Sequence, residues 1–283
     1  MDLTGFVITC GAAALVAVFA TLGTARRSVQ RFGDRRALPP LTPAAFAAVV
    51  RQVRTSTLWA TVAIAVCIVV AVSVGQHLAT GMFAGWALLL LIYPAVAVAS
   101  AIHSATHRTF RPAPGGPRLA PTRSFRIEDA VPAPYAGFPD RLLWVVVAAA
   151  VAATITLGVT SAFSLVWAVG TIMATLAAIL LGFRLLERAV LSRPQPLQNR
   201  SELAWDRALR AQTLFMLRQV QAGIVITAIG AIIAVPLAGL FGPDAVPVCM
   251  TFSAAGVNFA IAAYALRIDQ HTPTTTAPGE QPA

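Results

Sequence analysis

Lysine is absent from this sequence; all 21 basic residues are arginine. Two chemistries go with it. A retinal Schiff base needs a lysine amine. A phosphate-binding P-loop needs a lysine at the end of its glycine-rich turn. Charge of either sign is scarce, at 11% of residues against 57% apolar, where a soluble domain carries about a quarter charged. Cysteine is limited to Cys10, Cys67 and Cys249. All of them lie in apolar stretches, so neither a disulfide framework nor a zinc knuckle is available.

The missing charge is not spread evenly. It is nearly gone from blocks of about twenty residues, the length a helix needs to cross ~30 Å of hydrocarbon. Seven such blocks cover roughly 3–23, 57–75, 82–102, 142–160, 163–183, 220–240 and 247–266. No Asp, Glu or Arg lies deep within any of them. A charge at the centre of a bilayer helix costs roughly 2.5–3.5 kcal/mol on insertion scales, so such residues mark function by default. Their absence argues against a proton-coupled carrier with a buried carboxylate, and against a voltage sensor.

What is present is an ordered distribution of arginine. Every arginine falls in an alternate connecting segment, and the short connections near 76–81, 161–162 and 242–246 contain none. The expected fold is therefore an all-α polytopic transmembrane bundle in the plasma membrane. Its N-terminus is expected outside and its C-terminus in the cytoplasm. The net charge of +10 is matched to anionic lipid headgroups rather than to nucleic acid. The first span reads as a retained helix. Asp2 and no cation precede it, and cleavage after it would release Arg26, Arg27, Arg31, Arg35 and Arg36 on the outer side. Residues 1–267 read as a single membrane domain and 268–283 as a disordered tail.

The cytoplasmic segments contain some order. Thr42-Pro43 has the form of an N-cap followed by proline at the first helical position. Phe46, Val49, Val50 and Val53 then recur at helical spacing, predicting a short amphipathic helix at the interface that leads into the second span, with Arg51 and Arg54 on another face. The segment from 104 to 141 is interrupted by seven prolines and excludes a long helix. Pro194 and Pro196 break the chain again. A second amphipathic helix is expected from Asn199, with Glu202 at capping-box spacing, Asp206 and Arg210 as an i,i+4 pair, and Trp205 suited to the interface. Gly242-Pro243-Asp244 marks the last external turn.

Three constellations bear on function. His103 and His107 share one helix face at i,i+4, where two imidazoles can hold a metal, with Glu128 and Asp129 in the following loop as further ligands. Ser104 stands where a zincin has its glutamate, so the expected role of the pair is to mark where the helix leaves the membrane, with no metal or other cofactor. Gly170, Ala174, Ala178 and Gly182 lay a smooth stripe along the fifth span, a helix-packing face expected to serve inside the bundle rather than a homodimer. Tyr93-Pro94 kinks the third span, and with Asn258 in the seventh it outlines a polar cavity of the kind found in carriers with broken helices. The alternative for Asn258 is an interhelical hydrogen bond. No nucleophile elbow, paired glutamates or clustered Ser and His occurs within the spans.

The run Arg193-Pro194-Gln195-Pro196 through Ser201-Glu202-Leu203-Ala204-Trp205-Asp206-Arg207-Ala208-Leu209-Arg210 resembles a stretch in uncharacterised integral membrane proteins of actinobacteria. The resemblance implies a membrane architecture and brings no substrate, cofactor or site. The functional expectation is a non-enzymatic membrane subunit that packs with lipid or with a membrane or cytoplasmic partner protein. A permease-like transporter component is the alternative. A metal-dependent enzyme at the inner face, resting on the histidine pair, is the third reading.

Overall fold

The computed structural model describes residues 23–77, 95–107, 133–160, 165–192 and 200–242, with isolated positions between 109 and 131 and between 246 and 260. Among the described residues every regular element is helical and no strand occurs. In chain order they are α1 (residues 23–35), α2 (Pro43–His77), α3 (Ala95–Thr106), α4 (Ala133–Ala136), α5 (Phe138–Val159), α6 (Val166–Ser192) and α7 (Arg200–Phe241). Further helical positions follow between 246 and 260. Helices α5, α6 and α7 are each long and apolar enough to cross a membrane, which points to a multi-pass membrane protein. The expected spans at 3–23 and 247–266, and the first half of that at 82–102, lie largely outside the described residues.

The caps follow the sequence. Pro43 opens α2, and the Ala45 amide donates to Thr42 Oγ1 at 3.3 Å, satisfying one donor that the first turn leaves open. After α7 the chain turns at Gly242 with φ +87°, its amide donating to the Ala238 carbonyl at 3.0 Å. That left-handed cap suits glycine, which has no Cβ to clash.

Two expected boundaries are not there. The amphipathic segment from Pro43 and the second span form one helix of 35 residues, so the segment continues the axis of the span instead of lying apart in the interface. Likewise the amphipathic segment expected from Asn199 and the sixth span form one helix of 42 residues beginning at Arg200. The physical reason is plain in the sequence. No glycine or proline interrupts 200–222, so nothing stops hydrogen-bonded turns from propagating. At ~1.5 Å per residue α7 is about 63 Å long, twice the hydrocarbon thickness. Its charged residues, from Arg200 to Arg218, all lie in its first half.

The chain forms two compact units. One comprises 1–132, 186–216 and 268–283, the other 133–185 and 217–267. In the second, α5 contributes Val146, Ala153 and Leu157, α6 Val169 and Leu176, and α7 Val225, Ala228 and Ile232 to one core. These positions recur at intervals of three, four and seven, the seam spacing of packed helices. Asp140 at the start of α5 pairs with Arg184 of α6 and, at 3.3 Å, with Arg218 of α7. One carboxylate thus ties the N-terminal end of α5 to the C-terminal part of α6, as the short connection between them requires of antiparallel neighbours.

The first unit has a core of its own. Ala25 and Val29 of α1, Ala45, Val49 and Val50 of α2, Phe110 and Trp205 of α7 are buried together. Trp205 was expected at the lipid interface; instead it is buried, its indole N–H donating to the Pro39 carbonyl at 2.9 Å and its ring 6.0 Å from that of Phe32. Arg36 reaches Gln212 Oε1 at 3.2 Å while lying 5.1 Å from the Phe32 ring. The arginine-rich segments therefore fold onto one another, with tryptophan as their common contact. Gly33 makes this fit, because a Cβ there would lie 2.8 Å from the Trp205 ring. We expect Gly33→Ala to lower stability by about 1–3 kcal/mol through overpacking, against no loss for Gly23→Ala, where a Cβ meets nothing within 4 Å. Thermal unfolding of the purified protein checks it.

Candidate functional site: a basic cleft at the histidine pair

Helix α3 ends at Thr106, whose hydroxyl donates back to the Ile102 carbonyl at 2.8 Å. His103 stands in this last turn and His107 follows it directly, its amide donating to the His103 carbonyl at 2.9 Å. Their rings face each other, centroids 4.5 Å apart and planes tilted by 50°. His103 is buried at 5% exposure and His107 is exposed. The neighbouring Ser104 is buried, 3.4 Å from the Thr213 hydroxyl of α7.

The pair lines a half-open cleft of about 520 Å³ whose opposite wall is α2. Ala48, Arg51, Gln52 and Thr55 form that wall, one stripe at i, i+3, i+4 and i+7. Thr109 closes the end, its hydroxyl donating to Gln52 Oε1. The Thr55 hydroxyl donates to the Arg51 carbonyl at 2.9 Å. Among the described residues no carboxylate lines the cleft. Its polar groups are a guanidinium, two imidazoles, an amide and two hydroxyls.

The sequence placed His103 and His107 together and the structure does the same. Among the described residues no group of three His, Cys, Asp or Glu assembles; Glu128 and Asp129 lie outside them. Tyr93, Pro94 and Asn258, the outline of a polar cavity, also lie outside the described residues. The stripe Gly170, Ala174, Ala178 and Gly182 runs along α6. All four are exposed, and a Cβ at either glycine meets nothing within 4 Å. Among the described residues this face is left uncovered. α6 buries Val169, Leu176 and Phe183 instead.

Close helix approach occurs elsewhere. A Cβ at Gly230 of α7 would overlap Ser253 Oγ and lie 2.8 Å from Ser253 Cβ, and one at Gly256 would lie 3.1 Å from Ile226. Sequence reasoning missed this contact, along with Arg51, Gln52 and Thr109 in the cleft. The Asp140–Arg184–Arg218 cluster had a signal. Each of these residues sits one or two positions outside the same membrane-facing end of an expected span. The chain matches no family model, no curated protein and no solved structure.

Proposed function

We propose that this chain is a non-enzymatic subunit of the plasma membrane, crossing it seven times with the N-terminus outside and the C-terminus in the cytoplasm, and packing against lipid and partner proteins. The observation that carries this reading is the surface of α5 and α6. Trp144 is 77% exposed and Trp167 82% exposed, with Val151, Val159, Leu181 and Leu185 also uncovered. An apolar band of this extent needs an apolar surrounding. Trp144 lies one turn beyond Asp140, and Trp167 about 26 Å along α6 from Arg184, close to the ~30 Å hydrocarbon core. Tryptophan at both levels suits the two headgroup regions. The charged cluster of Asp140, Arg184 and Arg218 then marks the arginine-rich, cytoplasmic level.

Reporter fusions test the orientation. A reporter active only in the cytoplasm should give signal when fused after Arg267 and none after Gly242; the reverse pattern would overturn the topology. Native gels of gently solubilised membranes test the subunit role. A discrete assembly larger than one chain is expected, and migration as a single chain in its lipid shell would overturn it.

A further inference from the structure

We propose that the cleft between α2 and the end of α3 binds a phosphoryl group. The inference stands on the cleft itself and holds whichever membrane face it occupies. Its lining offers hydrogen-bond donors and positive charge, and among the described residues no carboxylate that would repel an anion. Arg51 supplies a guanidinium fork, whose two parallel N–H groups match two phosphoryl oxygens. No described residue pairs with that guanidinium; the Thr55 hydroxyl bonds the Arg51 backbone carbonyl, not its side chain. Thr109 donates to the Gln52 carbonyl oxygen, and the Gln52 NH₂ is a donor that a ligand can use. His103 and His107 face Arg51 across the space. The volume of about 520 Å³ fits a small ligand or a headgroup.

The geometry favours an anion over a metal. Among the described residues of the lining two imidazoles are the only metal-binding side chains, and a guanidinium shares their cleft. A cation placed between the rings would be repelled by Arg51. A phosphoryl dianion would be attracted by it.

The phosphoryl group can come from free phosphate or from a lipid headgroup, and the experiment separates the two. Inorganic phosphate is titrated into the full chain in detergent by calorimetry, for wild type, Arg51→Ala, Arg51→Lys and Arg54→Ala. Arg54 carries the same charge on the same helix and does not line the cleft. Saturable binding is expected, weakened about tenfold or more by Arg51→Ala, the equivalent of ~1.4 kcal/mol. Arg51→Lys should weaken it less, because the charge stays and the fork is lost. Arg54→Ala should leave it unchanged. Size-exclusion profiles matching wild type show that the variants fold. Vesicles of phosphatidylcholine with and without phosphatidic acid are then offered as competitors. Displacement of phosphate only by the phosphatidic acid vesicles assigns the site to a headgroup, and no displacement assigns it to free phosphate. Equal losses for Arg51→Ala and Arg54→Ala would reduce the effect to general charge and overturn the proposal. So would the absence of saturable phosphate binding, or stoichiometric zinc binding that is lost in His103→Gln.

Discussion

Replacing Gly230 with leucine is expected to cost at least about 2 kcal/mol of stability, at the upper end of overpacking effects. Placing leucine at Ala174 should change stability by no more than about 0.5 kcal/mol, as for an exposed position. The two sites look alike in sequence, being small residues in apolar helices. They differ in what stands opposite. At Gly230 a side chain runs into Ser253, whose own hydroxyl donates to the Cys249 carbonyl at 2.9 Å and holds it in place. At Ala174 the side chain is exposed. In lipid the enlarged residue gains no hydrophobic burial to offset the displaced helix, because the tails are as apolar as leucine. Gly230→Ala should lie between, since the better helix propensity of alanine returns up to about 1 kcal/mol. Gly223→Ala should be tolerated, because a Cβ there meets Val257 at 3.4 Å, ordinary contact. Thermal unfolding in detergent gives the ranking. Combining Gly230→Ala with Ser253→Gly should restore most of the loss if the overlap is the cause. A loss of equal size at Gly230 and Ala174 would mean that small residues matter here for some reason other than this contact.

That comparison also shows what the sequence withholds. The apolar stretches of α5, α6 and the second half of α7 were legible because hydropathy reports directly on the cost of burying charge in lipid, whereas the run of α6 past 183 to Ser192 was not. The packing face of each helix was not. In water the exposed side of a helix is polar and declares itself; in a bilayer both sides are apolar. Gly170, Ala174, Ala178 and Gly182 therefore read as an interface, while among the described residues it is Val169, Leu176 and Phe183 that are buried. The histidine pair was legible because i,i+4 spacing is local. Its wall was not, because the Gln52–Thr109 contact joins positions 57 residues apart with no pattern to announce it. The continuity of α7 was available in principle, from the absence of a breaker between Arg200 and Gly223.

Asp206→Ala is expected to destabilise the protein by about 3–5 kcal/mol, the cost of removing the carboxylate from beside a buried guanidinium. As an i,i+4 pair on an exposed helix, Asp206 and Arg210 would contribute only about 0.3–0.5 kcal/mol. Burial decides between the two magnitudes. The carboxylate and guanidinium meet at 2.7 Å with side-chain exposures of 2% and 1%, in the half of α7 that also buries Trp205, Ala208 and Leu214. Solvent cannot reach Arg210 to replace the lost carboxylate, and arginine does not shed its proton to escape the penalty. The partner variant Arg210→Met leaves an aspartate buried, which can take up a proton, so its loss should be smaller. The double variant Asp206→Leu with Arg210→Met removes both charges and keeps most of the volume. It should recover a large part of the loss, though not all, because each residue also holds other polar contacts. Arg188→Ala, at an exposed position of α6, serves as the control and should stay within about 0.5 kcal/mol of wild type. Thermal unfolding of the detergent-solubilised chain measures all four. If Asp206→Ala behaves like the Arg188 control, the pair is a solvated surface bridge, and the folded core of arginine-rich segments around it does not exist.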